Sequence, residues 1–184
     1  MEQEEKAPTL VNHALKWGVI LAAVGIVLTV LIYVIDYTIF ASFKFLGIIV
    51  LVSLGLVIYA GIDFRKAIGG YLSYGKAWQH AFLVFAISGV ISVIFNIVLY
   101  VVIDPELPSK VADAIAENSR EMMENFGAPP DGIDDAVEKA RVDSLDRFTP
   151  VGMIKGYAFQ LIGYAIFALI TALFARKNPP VDQM

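Results

Sequence analysis

An all-α fold, a four-helix transmembrane bundle with an extracytoplasmic helical hairpin between its third and fourth spans, follows from three observations. The 184-residue chain is 58% hydrophobic and only 17% charged, where a soluble domain carries nearer about 25% charged residues. Four runs are long, apolar and free of charge. Twelve of the 18 acidic residues fall in the one long connection between the third and fourth runs. The chain therefore reads as a single membrane domain, 1–184, carrying one acidic insertion, 104–155.

The four runs are 17–35, 45–62, 78–103 and 156–175. A bilayer core of about 30 Å needs roughly 20 apolar residues as a helix, because only a helix satisfies its own backbone there. Charges bracket the runs: Lys16 and Asp36 the first, Lys44 and Asp63 the second, Asp104 the end of the third, Arg176 and Lys177 the end of the fourth. Amphipathic rings gather at the same borders, with Trp17, Tyr33 and Tyr37 on the first span and Tyr71, Tyr74 and Trp78 before the third. The leading segment carries Glu2, Glu4 and Glu5 in place of a basic stretch, so the first run is expected to stay as a span and not to be cleaved as a signal peptide.

Four crossings put both termini on one side. Basic residues next to span ends set orientation, and Arg65-Lys66 and Arg176-Lys177 abut theirs. Both termini are expected in the cytoplasm, the protein in the cytoplasmic (inner) membrane, and the 104–155 insertion outside.

Within the insertion, Val111, Ile115, Met122 and Phe126 recur at helical spacing behind Ser109, a candidate N-cap, and Gly127 closes the run. The segment Ala128-Pro129-Pro130-Asp131-Gly132 is a turn. Ile133, Val137, Leu145 and Phe148 then mark a second helix ending at Thr149-Pro150. Two such helices are too small for a core of their own, so they are expected to pack on each other and on the bundle mouth or membrane surface. The acids Asp131, Asp134, Asp135 and Glu138 lack the ladder of a calcium loop and read as acids favoured at a helix N-terminus.

Polar groups inside the runs are few. Ser88, Ser92 and Asn96 recur every four residues on the third span, and Gly152, Gly156, Gln160 and Tyr164 do so on the fourth. Small and amide-bearing faces let membrane helices approach and bond, so these are helix-packing residues, with a polar substrate path as the alternative. Gly18 and Ala22 form a small-xxx-small face on the first span. No Asp, Glu, Lys or Arg lies inside a run, which weighs against a proton-coupled pump. His80 is read as an interfacial histidine that water or headgroups reach, with a ligand or proton-relay role as the alternative. His13 reads as a second, isolated histidine. With no cysteine and no catalytic or phosphate-binding motif, no enzyme activity, cofactor or metal is expected. A net charge of -4 argues against nucleic acid.

The stretch entering the third span reads Arg65-Lys66-Ala67-Ile68-Gly69-Gly70-Tyr71-Leu72-Ser73-Tyr74-Gly75-Lys76-Ala77-Trp78-Gln79-His80. With Asp104-Pro105 after that span and a long polar loop before the fourth, it resembles a bacterial family of small four-helix membrane proteins catalogued as a domain of unknown function. The resemblance implies a bacterial cytoplasmic-membrane protein and no particular activity. Arg65, Lys66, Tyr71, Tyr74, Lys76 and His80 are its interfacial loop residues, and a turn with an aromatic-basic anchor is a sufficient physical role for them. The expected partners are the lipid bilayer and either a second copy or another membrane protein. A small transporter or channel subunit with a polar path along the third and fourth spans is the alternative.

Overall fold

The computed structural model describes residues 7–180, and every regular element in it is a helix. The elements are α1 (Leu10–Ile35), a 3-10 turn (Tyr37–Ala41), α2 (Phe43–Ala67), α3 (Tyr74–Val98, continued by a π turn at Leu99–Ile103), α4 (Leu107–Asn125), α5 (Pro130–Phe148) and α6 (Pro150–Ala175). The helices α1, α2, α3 with its π turn, and α6 are long and apolar enough to cross a membrane. The acids at Glu2, Glu4 and Glu5 lie outside the described residues.

Each long helix extends past its apolar run. Lys16 lies inside α1, Asp63, Arg65 and Lys66 inside α2, Lys76 inside α3 and Lys155 inside α6. The apolar runs themselves stay free of Asp, Glu, Lys and Arg, and the ionisable residues sit on the helix ends beyond them. Backbone hydrogen bonding continues for a turn or two beyond the hydrocarbon boundary, so helix ends and apolar-run ends need not coincide.

The Cα positions divide into two compact units. The first takes in 7–25, 50–91 and 159–180. Its core joins Ala14, Leu21, Val57, Ala81, Val84, Phe85 and Ala168, with a second cluster of Phe64, Leu72, Ala77, Ala172 and Ala175. Small residues let the helices come close. A Cβ on Gly18 would lie 2.8 Å from the Ile87 side chain, and one on Gly61 would lie 2.7 Å from the Ala175 Cβ. The Gly18–Ala22 face is therefore a packing face, both residues being buried.

The second unit spans 26–49 and 92–158. Leu99, Leu107 and Val111 form its core, ringed by Tyr33, Phe40, Phe95, Tyr100, Ile115 and Phe148. The α4–α5 hairpin thus covers the neighbouring ends of α1 and α3, as its small apolar faces require. Two ion pairs clasp the hairpin in one antiparallel register, Arg120–Asp134 at 2.8 Å and Arg141–Asp113 at 2.6 Å. Asn118 donates to the Ala41 carbonyl.

Helix ends follow sequence signals, with one correction. Ser109 is not the N-cap of α4. The N-cap position is Glu106, and the Asp104 side chain just before it accepts from the Glu106 and Leu107 amides at 3.1 Å each, with Pro108 in the first turn. Proline lacks the amide that a cap would need to satisfy, so Pro108 fits the first turn, and α4 starts at Leu107, three residues before the start that a Ser109 cap would give. Gly127, at φ 73°, ends α4, with the Gly127 amide bonded to the Glu124 carbonyl and the Ala128 amide to that of Met123. Phe126 does not join the apolar face; it is 85% exposed at the end of the helix. Thr149 alone separates α5 from α6, its hydroxyl accepting from the Gly152 amide and donating to the Asp146 carbonyl.

Candidate functional site

The helices α1 and α3 each place one buried histidine, and α2 a half-exposed aspartate, at a common point in the first unit. On α1 the buried stripe runs His13, Ala14, Gly18, Leu21, Ala22. On α3 it runs Ala77, His80, Ala81, Val84, Phe85, Ser88. These spacings of three and four residues give one face of a helix, so each histidine sits where the core-facing side chains sit. The α2 stripe of Val57, Ala60, Gly61 and Phe64 carries Asp63 at its edge.

The result is a hydrogen-bonded chain across three helices. His13 Nδ1 lies 2.9 Å from His80 Nε2. His13 Nε2 lies 3.3 Å from Asp63 Oδ2, and the Trp17 indole N–H donates to that same oxygen at 3.1 Å. The Phe64 ring covers His80 face to face, 4.9 Å between centroids and 4° between planes, and touches His13 at 5.0 Å. His80 is 0% exposed and His13 6% exposed, whereas the Asp63 side chain is 40% exposed. The reading of His80 as a histidine that water reaches is therefore corrected, as is the reading of the two histidines as isolated. Sixty-seven residues of sequence separate them, and only the crossing of α1 and α3 brings them together.

Proton positions follow from the donors. An indole N–H only donates, so Asp63 Oδ2 is an acceptor, and neutral His13 donates to it through Nε2. His13 Nδ1 is then a lone pair that takes the His80 Nε2 proton. His80 Nδ1 is left as a buried acceptor, and no partner for it exists among the described residues.

The loop leading to His80 has a second role. Gly69 and Gly70, at φ 98° and 90°, close α2 by bonding their amides to the Lys66 and Arg65 carbonyls. The chain then runs antiparallel to the end of α6, with Leu72 and Lys177 exchanging two backbone hydrogen bonds of 2.9 Å. Arg65 Nη1 donates to the Ala175 carbonyl at 3.0 Å, capping the C-terminus of α6. Tyr74 and Trp78 donate to the Leu169 and Ala165 carbonyls, while Arg176 and Lys177 lie over the Tyr74 and Tyr71 rings. Lys66 and Lys76 are exposed. The motif is thus a clasp on α6 as well as a turn.

The proposed packing residues divide. Ser88 is buried, Ser92 and Asn96 are half-buried, and Tyr164 stacks on Phe85 at 5.4 Å. Gln160 is exposed, so it is not an inward-facing packing residue of this chain. Neither the Asn96 nor the Gln160 amide makes a side-chain hydrogen bond among the described residues.

Four helices suited by length and composition to a bilayer, linked by a clasp and a paired hairpin, define an all-α protein of the multi-pass membrane class. The chain belongs to the family described as "Protein of unknown function (DUF4199)", whose model matches residues 16–177. That match takes in Asp63 and His80 and begins three residues after His13. No curated protein and no solved structure matches the chain.

Proposed function

We propose that this chain is a non-enzymatic component of a bacterial inner membrane, both termini cytoplasmic, that works by assembling with a second membrane helix. Gln160 carries this reading. It stands four residues beyond Gly156, the start of the apolar run of α6, about 6 Å along the helix axis, among the exposed side chains Phe159, Ile162 and Ile166. An amide left without a hydrogen bond in hydrocarbon costs about 2–7 kcal/mol, which a hydrogen bond to a neighbouring helix would offset. Gly156 and Gly163 flank it with open space where side chains would stand, the small surface that a neighbouring helix uses for close approach. The acidic hairpin adds a second contact surface, with Glu117, Glu121, Glu124 and Glu138 facing outward. The alternative, a transporter path along α3 and α6, is less well supported, because Ser88 is buried while Gln160 is exposed.

Incorporating a photo-crosslinking phenylalanine analogue at Gln160 tests the proposal in native membranes, with Val27, an exposed apolar position on α1, as the control. A protein adduct from position 160 alone, either to a second copy or to another protein, is the expected result. Lipid adducts alone from both positions would contradict it.

A further inference from the structure

Charge is unevenly shared in the first unit. Its described residues carry six basic side chains, Lys16, Arg65, Lys66, Lys76, Arg176 and Lys177, and one acidic side chain, Asp63. Asp63 already bonds His13 and the Trp17 indole. Among the described residues, none of the six cations forms an ion pair.

Three of these cations meet where the loop after α2 crosses the end of α6. Arg65 Nη1 donates to the Ala175 and Arg176 carbonyls at 3.0 and 3.4 Å. The Arg176 guanidinium carbon lies 5.9 Å from the centre of the Tyr74 ring, and Lys177 Nζ lies 5.7 Å from that of Tyr71. Two backbone hydrogen bonds between Leu72 and Lys177 hold the two segments together. Carbonyls and ring faces orient a cation, but they do not neutralise it. Cations gathered on one surface without a counter-ion create a potential that attracts anions. Because these are already held, they lose little side-chain freedom when an anion arrives.

The surface beside them is apolar. Ile170, Leu173 and Phe174 are exposed in the last two turns of α6, at the three- and four-residue spacing of one helix face. That face stops at Arg176 and Lys177. A small soluble anion would use the cations and leave the apolar face bare. A molecule with an anionic head and hydrocarbon chains uses both.

We propose that Arg65, Arg176 and Lys177 form a headgroup site for an anionic phospholipid, its phosphate among the three cations and its acyl chains along the exposed face of α6. Arginine suits a phosphate because its planar fork donates two parallel hydrogen bonds. Tyr71 and Tyr74 stand beside the cations, at the level where amphipathic rings meet headgroups. The site rests on the reading of the long helices as membrane spans, and not on Gln160. That residue lies about 22 Å from Ala175 along the helix axis, so the lipid and the proposed partner helix meet opposite ends of α6, and the two ideas fail separately.

The test is native mass spectrometry of the full-length protein, released from neutral detergent and titrated with phosphatidylglycerol or phosphatidylcholine of the same acyl chains. Phosphatidylglycerol should bind about tenfold more tightly, because each basic residue beside an anionic headgroup adds attraction. The double variant Arg176→Gln with Lys177→Gln leaves Arg65 on α6 and should lose that preference. A control, Lys44→Gln with Lys155→Gln, removes the same charge from the second unit and should keep it. On the unaltered protein, raising the salt concentration should weaken phosphatidylglycerol binding and leave phosphatidylcholine binding unchanged. Equal affinity for the two lipids, a preference that survives the double variant, or the same loss in the control would each overturn the site. Displacement of phosphatidylglycerol by an equal concentration of glycerol 3-phosphate would show a site for soluble anions, and would overturn the lipid assignment.

Discussion

An imidazole carries one donor and one acceptor, so two bonded edge to edge form a chain with a direction, and something must terminate each end. Here Asp63 terminates one end and no described residue terminates the other. That asymmetry was hidden in the sequence. The two histidines lie far apart along the chain, and His80 follows Lys76 and Gln79, polar neighbours that suggest water. The clue was positional: His80 shares its three- and four-residue spacing with Ala77, Ala81, Val84 and Ser88. In a helix that is apolar all round, the buried face does not show as a hydrophobic stripe, and small residues mark it instead. The same logic yields a direct check on packing. Gly18→Ala brings a methyl within 2.8 Å of the Ile87 side chain, whereas Gly25→Ala meets nothing within 4 Å. Overpacking costs about 1–3 kcal/mol, so Gly18→Ala should lower the thermal unfolding midpoint in detergent. Gly25→Ala should leave that midpoint unchanged or raise it. Equal effects would remove the close approach of α1 to α3 from the account.

At the scale of elements, local signals were the most readable part of the chain. Gly69-Gly70 and Gly127 end their helices as glycines do, and Ala128-Pro129 divides the hairpin inside the expected 128–132 turn, whose last three residues, Pro130 to Gly132, form the first turn of α5 instead. The start of α4 lies ahead of Ser109 because the Asp104 carboxylate accepts from the Glu106 and Leu107 amides, which leaves Ser109 inside the first turn. The hairpin pairing was invisible, since no periodicity tells which arginine meets which acid. If Arg141–Asp113 sets the register, Arg141→Asp should speed amide exchange across α5, and exchanging both partners, Arg141→Asp with Asp113→Arg, should restore protection. Faster exchange in the double variant than in the single one would contradict the pairing. A pH effect belongs to the 3-10 turn. The Thr38 hydroxyl and amide donate to Asp36 and hold its carboxyl below the ordinary 3.8. A depressed value means that the capping bond stabilises the turn above pH 3.8 and is lost as the pH falls below it. Exchange at the Thr38 amide, corrected for its intrinsic rate, should therefore accelerate only in that acidic range, and Asp36→Ala should show the fast rate at neutral pH.

For the whole molecule, four charge-free runs and one acidic connection were enough to read the all-α class, because a bilayer leaves so few backbone solutions. What they could not supply was which faces meet, and hence neither the clasp of Arg65, Tyr74 and Trp78 on α6 nor the outward turn of Gln160. Function on the proposed reading depends on sidedness, with both termini proposed in the cytoplasm and the hairpin proposed outside. The chain contains no cysteine, so single cysteines report topology without background. The decisive measurement is labelling by a membrane-impermeant maleimide in intact bacterial cells, with cysteine placed either at Asn125, in the last turn of α4, or at Asn178, beyond α6. The account predicts that Asn125→Cys labels in intact cells and that Asn178→Cys labels only after permeabilisation. The reverse pattern would invert the orientation, and labelling of both sites in intact cells would contradict an arrangement in which the hairpin and the C-terminus lie on opposite sides of the membrane.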